Sequence, residues 1–251
     1  MRSLFSTLAL VALFVSGFSW FAEAAEAPPK IQVLLISGDD VAPFHDWREI
    51  SEETRDVLVR GGRFDVRVCE DPLILESKQA LEAYDVIVFT MFNKSVPMIT
   101  ESAKENLLDF VKSGKGFYVQ HLASASFGQW EAFGELCGRK WVMGTSGHGP
   151  RSRFEAKVVA DHPITQGVDK KFLIFDELYA KLQGDAPIEV LVEADSDWSE
   201  KTEPLVFVRS YGKGRSVHNA FGHDHKAIQD PNVKKLIAQG VEWAATGKVA
   251  K

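Results

Sequence analysis

The chain has 251 residues, of which 45% are hydrophobic and 25% charged, and its formal net charge at pH 7 is -6. So much apolar surface needs a folded core, which excludes an intrinsically disordered chain. Binding to nucleic acid depends on the neutralisation of phosphates, so a mildly acidic chain without a basic run is a poor candidate for it. We therefore expect no nucleic-acid partner. Two cysteines are too few for a disulfide scaffold.

Residues 1–24 have the composition of a secretory signal peptide. Arg2 supplies a positive charge, an apolar run extends from Leu4 to Phe18, and Ala22-Glu23-Ala24 offers the small residues that signal peptidase requires. Residues 25–30, which include two prolines, then form a short tether. The alternative is an uncleaved membrane anchor, but the apolar run is barely long enough to cross a bilayer. We expect a secreted or periplasmic protein with no membrane contact after cleavage.

Export would place both cysteines in an oxidising compartment. Cys69 and Cys137 could pair, but nothing in the sequence places them within bonding distance. Two buried free thiols are therefore the prediction.

The first half of the mature chain alternates between short apolar runs and stretches with helical spacing. A nearly continuous apolar run such as Ile31 to Ile36 is typical of a strand buried on both faces. Short connections between such strands and helices predict a parallel sheet with helices on both sides. The predicted strands are Ile31–Ile36, Phe64–Val68, Asp85–Thr90 and Phe117–Gln120, and the predicted helices are Trp47–Val59, Ala80–Tyr84 and Thr100–Val111, the last capped by Thr100.

The second half is less regular and predicts mainly strands. A helix is expected from Phe127 to Leu136, followed by a loop rich in Gly, Ser and Pro from Arg139 to Arg153. Gly212-Lys213-Gly214 precedes a strand and is typical of a hairpin turn. No long linker interrupts the chain, so we expect residues 31–246 to form a single α/β domain. The remaining predicted elements are strands at Phe154–Val159, Ile188–Val192, Pro204–Val208 and Arg215–Asn219, and a closing helix from Asn232 to Ala245.

Four of the seven histidines lie in loops where an open α/β sheet binds its ligands. Such sheets bind ligands beyond the carboxyl ends of their strands. His45 follows the first predicted strand, His121 the fourth and His223 the last. His148 lies in a glycine-rich loop. Each alone could be structural, but four in such loops favour a common site. The other three are more simply a turn cap, a packed or surface strand residue and a loop residue: His162, His218 and His225.

Acidic residues in the same regions add candidates. Asp39 follows the first strand, where a carboxylate can hold a ligand hydroxyl, although an ordinary turn is an equal alternative. Asp176 and Glu177 lie between apolar stretches, and they either cap a helix or project into a site. Asp224 could orient the imidazole of its neighbour His223 and fix its tautomer.

The familiar catalytic signatures are absent from the sequence. No GxxxxGK[ST] loop and no GxGxxG stands between a strand and a helix. There is no HExxH and no CxxC, which removes the common zinc signatures. Ser124 and Ser126 lack the GxSxG frame of a hydrolase elbow. A site of histidines and carboxylates is what these exclusions leave.

Several short motifs follow one another along the chain in a characteristic order. They are Gly38 to Trp47, Gly114 to Ala123, Trp130 with Phe133, His148, His162-Pro163-Ile164, Asp176-Glu177-Leu178-Tyr179, Tyr211 to Arg215, Gly222-His223-Asp224 and Gly240 to Ala244. In this order and spacing they resemble the trehalose-utilisation (ThuA-like) family. The resemblance covers about Ile31 to Ala245, nearly all of the mature chain.

The resemblance implies a flavodoxin-like fold of the class I glutamine-amidotransferase type. This is an α/β three-layer sandwich with a mostly parallel central sheet. An amidotransferase has a nucleophilic cysteine just after the fourth strand, and here His121 takes that position, so a thioester route is closed. The family is linked to trehalose and related disaccharides, in pathways that pass through 3-keto sugars. A small-molecule sugar substrate is therefore implied.

The resemblance and the histidines together favour an enzyme of sugar utilisation. A 3-keto glycoside has an acidic C2 proton, and its removal by a base permits loss of the C1 substituent. A divalent metal is a candidate cofactor, because it would hold the enolate oxygen. The expected catalytic residues are His121, His223, Glu177 and Asp224; the expected metal ligands are His121, His148 and His223; the expected substrate contacts are Asp39, His45, Trp47 and Tyr179.

Two other functions stay open at this point. One is a noncatalytic carbohydrate-binding or complex-forming module, which would bind sugar saturably without turnover. The other is a metal site with a hydrolytic role towards another substrate. Several ionisable histidines in one pocket favour catalysis over plain binding. A homo-oligomer is compatible with each of these functions.

Overall fold

The structure is a computed structural model that describes residues 29–38, 45–93 and 99–250. The predicted signal peptide at 1–24, most of the predicted tether and Asp39 lie outside the described residues. Within the ranges described, none of the helices has the length and apolar character that crossing a bilayer requires.

The described residues form nine strands in one sheet. They are β1 (Ile31–Ile36), β2 (Phe64–Cys69), β3 (Val86–Phe89), β4 (Gly116–Gln120), β5 (Ser152–Val158), β6 (Lys171–Asp176), β7 (Glu189–Ser196), β8 (Lys201–Tyr211) and β9 (Gly214–Asn219). Their order across the sheet is β2-β1-β3-β4-β9-β8-β7-β5-β6. Neighbours from β2 to β9 pair in parallel, and neighbours from β9 to β6 pair antiparallel.

Helices cover both faces of the parallel half of the sheet. They are α1 (Trp47–Arg60), α2 (Lys78–Leu81), α3 (Glu101–Lys112), α4 (Glu131–Cys137), α5 (His225–Ile228) and α6 (Pro231–Thr246). In β1, Val33 and Leu35 pack with α1 and α6, whereas Leu34 and Ile36 pack with α3 and α4. Because both faces of β1 are buried from Val33 to Ile36, these four positions need apolar side chains. The predicted three-layer α/β architecture is confirmed.

The sequence does not predict β6. Phe172, Ile174 and Asp176 are buried, and the residues between them are exposed, as in a half-buried strand. The exposed positions include Leu173 and Phe175, which are apolar and hide the alternation. β6 ends at Asp176, so Asp176 and Glu177 follow a strand and do not begin a helix.

The other differences are local. The helix predicted from Phe127 begins only at Glu131, because Phe127 has a φ of 50° and cannot belong to a right-handed helix. The predicted hairpin turn between β8 and β9 is confirmed, with Gly212 in the left-handed region at a φ of 61°. The predicted cap of α3 is also confirmed, since the Thr100 side chain accepts a hydrogen bond from the Ala103 amide.

Three histidines have structural surroundings. Nδ1 of His162 accepts a hydrogen bond from the Ile164 amide and so caps a short 3₁₀ turn, as predicted. His218 is buried against the ring of Phe207. His225 is partly exposed and pairs with a glutamate of α1 at 2.7 Å. None of these three histidines is among the side chains that converge at the carboxyl ends of the strands.

Both cysteines are free thiols. Cys137 is buried as predicted, and burial raises the pKa of its thiol. Cys69 is half-buried where full burial was expected, because it lies at the end of the edge strand β2, where its thiol donates to the Asp71 carbonyl oxygen at 3.3 Å.

Candidate active site

The carboxyl ends of the strands bring three histidines and a glutamate together. His121 directly follows β4, Glu177 directly follows β6, and His223 lies in the loop after β9. His45 comes just before α1. One ligand atom from each of these four side chains lies within 4.8 Å of the others. We call these four residues the histidine–glutamate cluster.

Glu177 is the centre of this cluster, since its carboxylate faces four imidazoles. Its Oε2 lies 3.3 Å from Nε2 of His121 and 3.8 Å from Nε2 of His45. Its Oε1 lies 3.1 Å from Nδ1 of His223 and 3.4 Å from Nε2 of His148. The Glu177 side chain is nearly buried, so these imidazoles replace the water that a carboxylate normally binds.

His121 is held in one tautomer and in a strained backbone conformation. Its φ is 48°, which a residue with a side chain rarely adopts outside functional sites. Its Nδ1 lies 2.6 Å from the carbonyl oxygen of Ala220, and a carbonyl can only accept, so Nδ1 carries the proton. Nε2 of the neutral ring then presents a lone pair to the Glu177 carboxylate. A cation, either a proton or a metal ion, has to lie between the two.

Burial and mutual charge set the protonation of the cluster. Burial, reinforced by repulsion from His121 and His223, lowers the pKa of His45 to about 3. Burial opposes charge on His121 as well, but the Glu177 carboxylate, 3.3 Å from its Nε2, and the charge of Asp176 give His121 a raised pKa. Burial would raise the pKa of Glu177, yet His121 and His223 hold it well below its ordinary range. A permanent carboxylate among imidazoles suits metal binding or acid–base chemistry.

Asp176 positions the two loops that carry Glu177 and His223. Its carboxylate accepts hydrogen bonds from the amides of Glu177 at 2.9 Å, Gly222 at 2.8 Å and His223 at 3.2 Å. Burial raises the pKa of Asp176, and the charge of His121 and the three amides oppose this rise. Asp176 therefore fixes the backbone of two cluster residues, Glu177 and His223, through their amides.

Replacing Asp176 with asparagine is expected to lower the free energy of unfolding by about 1–3 kcal/mol, because the new amide group cannot accept from at least one buried N–H. Urea unfolding at neutral pH with a chelator present measures this change. Hydrogen exchange at the Gly222 and His223 amides should quicken as well.

The matched control is Asp195→Asn. Asp195 is an exposed carboxylate that pairs with Lys157 at the surface, and we expect its replacement to change the free energy of unfolding far less, because solvent screens the pair. If Asp176→Asn costs no more than this control, Asp176 does not hold the two loops.

His148 lies at the rim of the cluster and has the most exposed side chain of the four imidazoles that face Glu177, at 33%. Its Nδ1 lies 2.7 Å from the Gly149 carbonyl oxygen, which leaves Nε2 with the lone pair. Its loop is fixed by paired hydrogen bonds between Gly147 and Ala180, and Trp198 covers both flanking glycines. The predicted metal set is corrected here, because His148 falls outside the four converging residues and His45 and Glu177 belong to them.

Asp224 does not orient His223, and that prediction is wrong. One carboxylate oxygen caps α5 by accepting from the Ala227 amide at 3.0 Å, and the other pairs with Arg151 at 2.6 Å. The hydrogen bonds of both oxygens therefore go to groups other than the His223 imidazole. The residue that fixes the His223 loop is Asp176, which the sequence alone does not distinguish from a helix cap.

Tyr179 is not available to a sugar, so the predicted substrate contact is corrected. Its ring is 1% exposed, and it stacks on His121 with the ring centroids 4.1 Å apart. It therefore packs behind the cluster. Trp47 is half-buried at the start of α1, with the guanidinium of Arg48 over its ring at 4.1 Å, and its role as a substrate contact stays a prediction.

A cavity of about 20 Å³ adjoins the cluster on the β4 side. Its wall includes His45, His121 and Gln120, whose Oε1 is buried without a hydrogen-bond partner. Gln120 is the last residue of β4 and follows an apolar run. Nothing in the sequence distinguishes it from other strand-end residues. Larger surface clefts, of about 650 Å³ and 680 Å³, lie elsewhere and include none of the cluster residues.

The three-layer α/β sandwich, with His121 at the turn after β4, defines a protein of glutamine-amidotransferase-like fold. Comparisons with known proteins agree with this class. A family model described as trehalose utilisation, ThuA, matches residues 32–244. The chain belongs to the ThuA family. None of the curated proteins is similar enough to the chain to match it.

Solved structures share the fold. A protein described as ThuA-like from Parabacteroides merdae is 26% identical, with a TM-score of 0.77 over 89% of this chain and 92% of that one. Another, from Bacteroides uniformis, is 18% identical, with a TM-score of 0.70 over 90% and 97%. A protein from Thermoplasma acidophilum, described as one of the subunits of a GMP synthase, is 11% identical, with a TM-score of 0.52 over 87% and 96%. The last two show the fold alone.

Proposed function

We propose that the chain is an exported enzyme of sugar utilisation that cleaves 3-keto glycosides of the trehalose type by β-elimination. The observation that carries the proposal is the convergence of Glu177 with four imidazoles, in a family described as trehalose utilisation. Sugar binding alone does not require a nearly buried carboxylate that faces four imidazoles, whereas proton transfer requires ionisable groups of this kind.

His148 is the base in this proposal. Its Nε2 carries a lone pair, and its side chain is exposed enough to meet a substrate. It takes the proton from C2, and the electron pair of that bond forms a C1=C2 double bond conjugated with the C3 carbonyl. The C1–O bond breaks, and the departing oxygen takes a proton from solvent. Glu177, 3.4 Å from Nε2, stabilises the imidazolium that results.

The histidine–glutamate cluster stabilises the charge that forms on the C3 oxygen in this proposal. Negative charge develops on the C3 oxygen as the C2 proton leaves, and an electrophile beside that oxygen lowers the barrier. A protonated imidazole or a bound cation in the cluster would supply it. The stack of Tyr179 on His121 keeps that ring in place while the charge develops.

A 4-nitrophenyl 3-keto-glucoside tests the proposal, because elimination releases nitrophenol. We expect turnover by the wild-type chain, slower turnover when C2 carries deuterium, and a loss of at least about 100-fold in kcat for His148→Ala. His225→Ala is the matched control and should keep wild-type turnover, since His225 pairs with Glu49 outside the cluster.

Saturable sugar binding without turnover would overturn the proposal and leave a carbohydrate-binding module. Turnover that incorporates oxygen from labelled water at C1, with no effect of deuterium at C2, would replace elimination with hydrolysis.

A further inference from the structure

We infer that the histidine–glutamate cluster is a binding site for one divalent first-row transition-metal ion. This goes beyond the proposed reaction and does not depend on it, because binding is measured without any sugar. The inference rests on the spacing of the ligand atoms, on buried atoms without partners and on the groups that support the ligands.

The spacing matches what such an ion needs. Ligand atoms about 2.1 Å from a tetrahedral ion lie about 3.4 Å from one another. In the cluster, Nδ1 of His223 lies 3.2 Å from Nε2 of His45 and 3.1 Å from Oε1 of Glu177. Nε2 of His121 lies 3.3 Å from Oε2 of Glu177. All four ligand atoms lie within 4.8 Å of one another, so the longest separations have to shorten by up to about 1.4 Å when an ion binds.

Buried atoms of the cluster lack hydrogen-bond partners. They include Nε2 of His121 and Oε2 of Glu177, which face each other, and Nδ1 of His45. Polar atoms buried without a partner are costly, and in a native protein each one needs an explanation. A metal ion among them satisfies the first two atoms at once and cancels the charge of the carboxylate.

The surroundings of the ligands are those of a metal site. A histidine ligand commonly donates its other ring N–H to a backbone carbonyl, and His121 does this with Ala220 at 2.6 Å. Asp176 fixes the backbone of both Glu177 and His223 through their amides. These supports orient the ligand atoms before any ion binds.

The donor set selects the kind of ion. Three imidazoles and one carboxylate suit zinc and its first-row neighbours, whereas magnesium and calcium require mostly oxygen ligands. The cavity of about 20 Å³ beside His45 and His121 has room for a water-sized ligand, and the unpartnered Oε1 of Gln120 can accept from it.

The test is a titration of the chelator-treated full chain with zinc chloride by calorimetry and with cobalt chloride by visible absorption. We expect about one equivalent of each ion and cobalt bands of a low-coordinate site. His121→Ala and His45→Gln should each lower zinc affinity at least about 100-fold. His225→Ala, which removes a histidine near His223 in sequence but outside the cluster, should bind zinc as the wild type does.

Circular dichroism establishes that each variant is folded, and the wild-type titration stands even where a variant is not. Absence of zinc and cobalt binding by the wild type would overturn the inference, and the gap between His121 and Glu177 would then hold a proton. Binding that survives both cluster substitutions would place the metal elsewhere and would overturn it equally. Neither result bears on whether the chain cleaves keto glycosides.

Discussion

Replacing Glu177 with glutamine is expected to lower the affinity of the chain for zinc at least about 100-fold and to abolish most of its turnover. Glutamine has the shape of glutamate but lacks its charge. Since one carboxylate faces four imidazoles at 3.1 to 3.8 Å, the substitution removes the only negative ligand of the cluster and the partner of His148.

The effect on zinc binding appears in thermal unfolding. Zinc at 100 times its Kd stabilises the wild-type chain by about 2.7 kcal/mol, and this gain should disappear in Glu177→Gln at the same concentration. Glu242→Gln is the matched control, because Glu242 is another buried carboxylate, paired with Arg63 at 2.9 Å. The control should be less stable and still gain from zinc. An undiminished gain in Glu177→Gln would remove Glu177 from the ligand set.

Acidification from pH 6.5 to pH 4 is expected to lower the free energy of unfolding, with His218 contributing up to about 3 kcal/mol. His218 is 1% exposed, and burial lowers its pKa from 6.5 to about 4. The unfolded chain therefore binds the proton first as the pH falls. The contribution of His218 to the free energy of unfolding is fully present above pH 6.5 and is lost progressively towards pH 4. Each unit by which folding lowers the pKa corresponds to about 1.4 kcal/mol.

His218→Gln isolates this contribution. Glutamine retains a donor for the Cys137 carbonyl oxygen, to which Nδ1 of His218 lies at 3.3 Å, but it does not titrate. Urea unfolding of both chains at several pH values, with a chelator present, should give a shallower pH dependence for the variant. Parallel curves for the two chains would mean that His218 is protonated as easily in the folded chain as in the unfolded one.

The position of His121 connects the fold to the chemistry. The turn after β4 holds His121 at a φ of 48° and so points its imidazole into the cluster at the carboxyl end of the sheet. An imidazole there can bind a metal or transfer a proton.

Local sequence patterns are enough to predict the parallel half of the fold and the region of the site. β1, β3 and β4 are buried on both faces, so their apolar runs are continuous and are visible without any tertiary contact. Ligands of such sheets bind beyond the carboxyl ends of the strands, and this rule selected His45, His121 and His223, whose side chains converge in the structure.

Which acid joins the histidines depends on how distant parts of the chain pack. β6 lies at one edge of the sheet, five places from β4 in the strand order, yet its carboxyl end brings Glu177 to 3.3 Å from His121. Asp224 is the neighbour of His223 in sequence, but its carboxylate pairs with Arg151 instead. Local patterns record which face of a strand is buried. They do not record how a distant strand end packs, because that depends on the path of the whole chain.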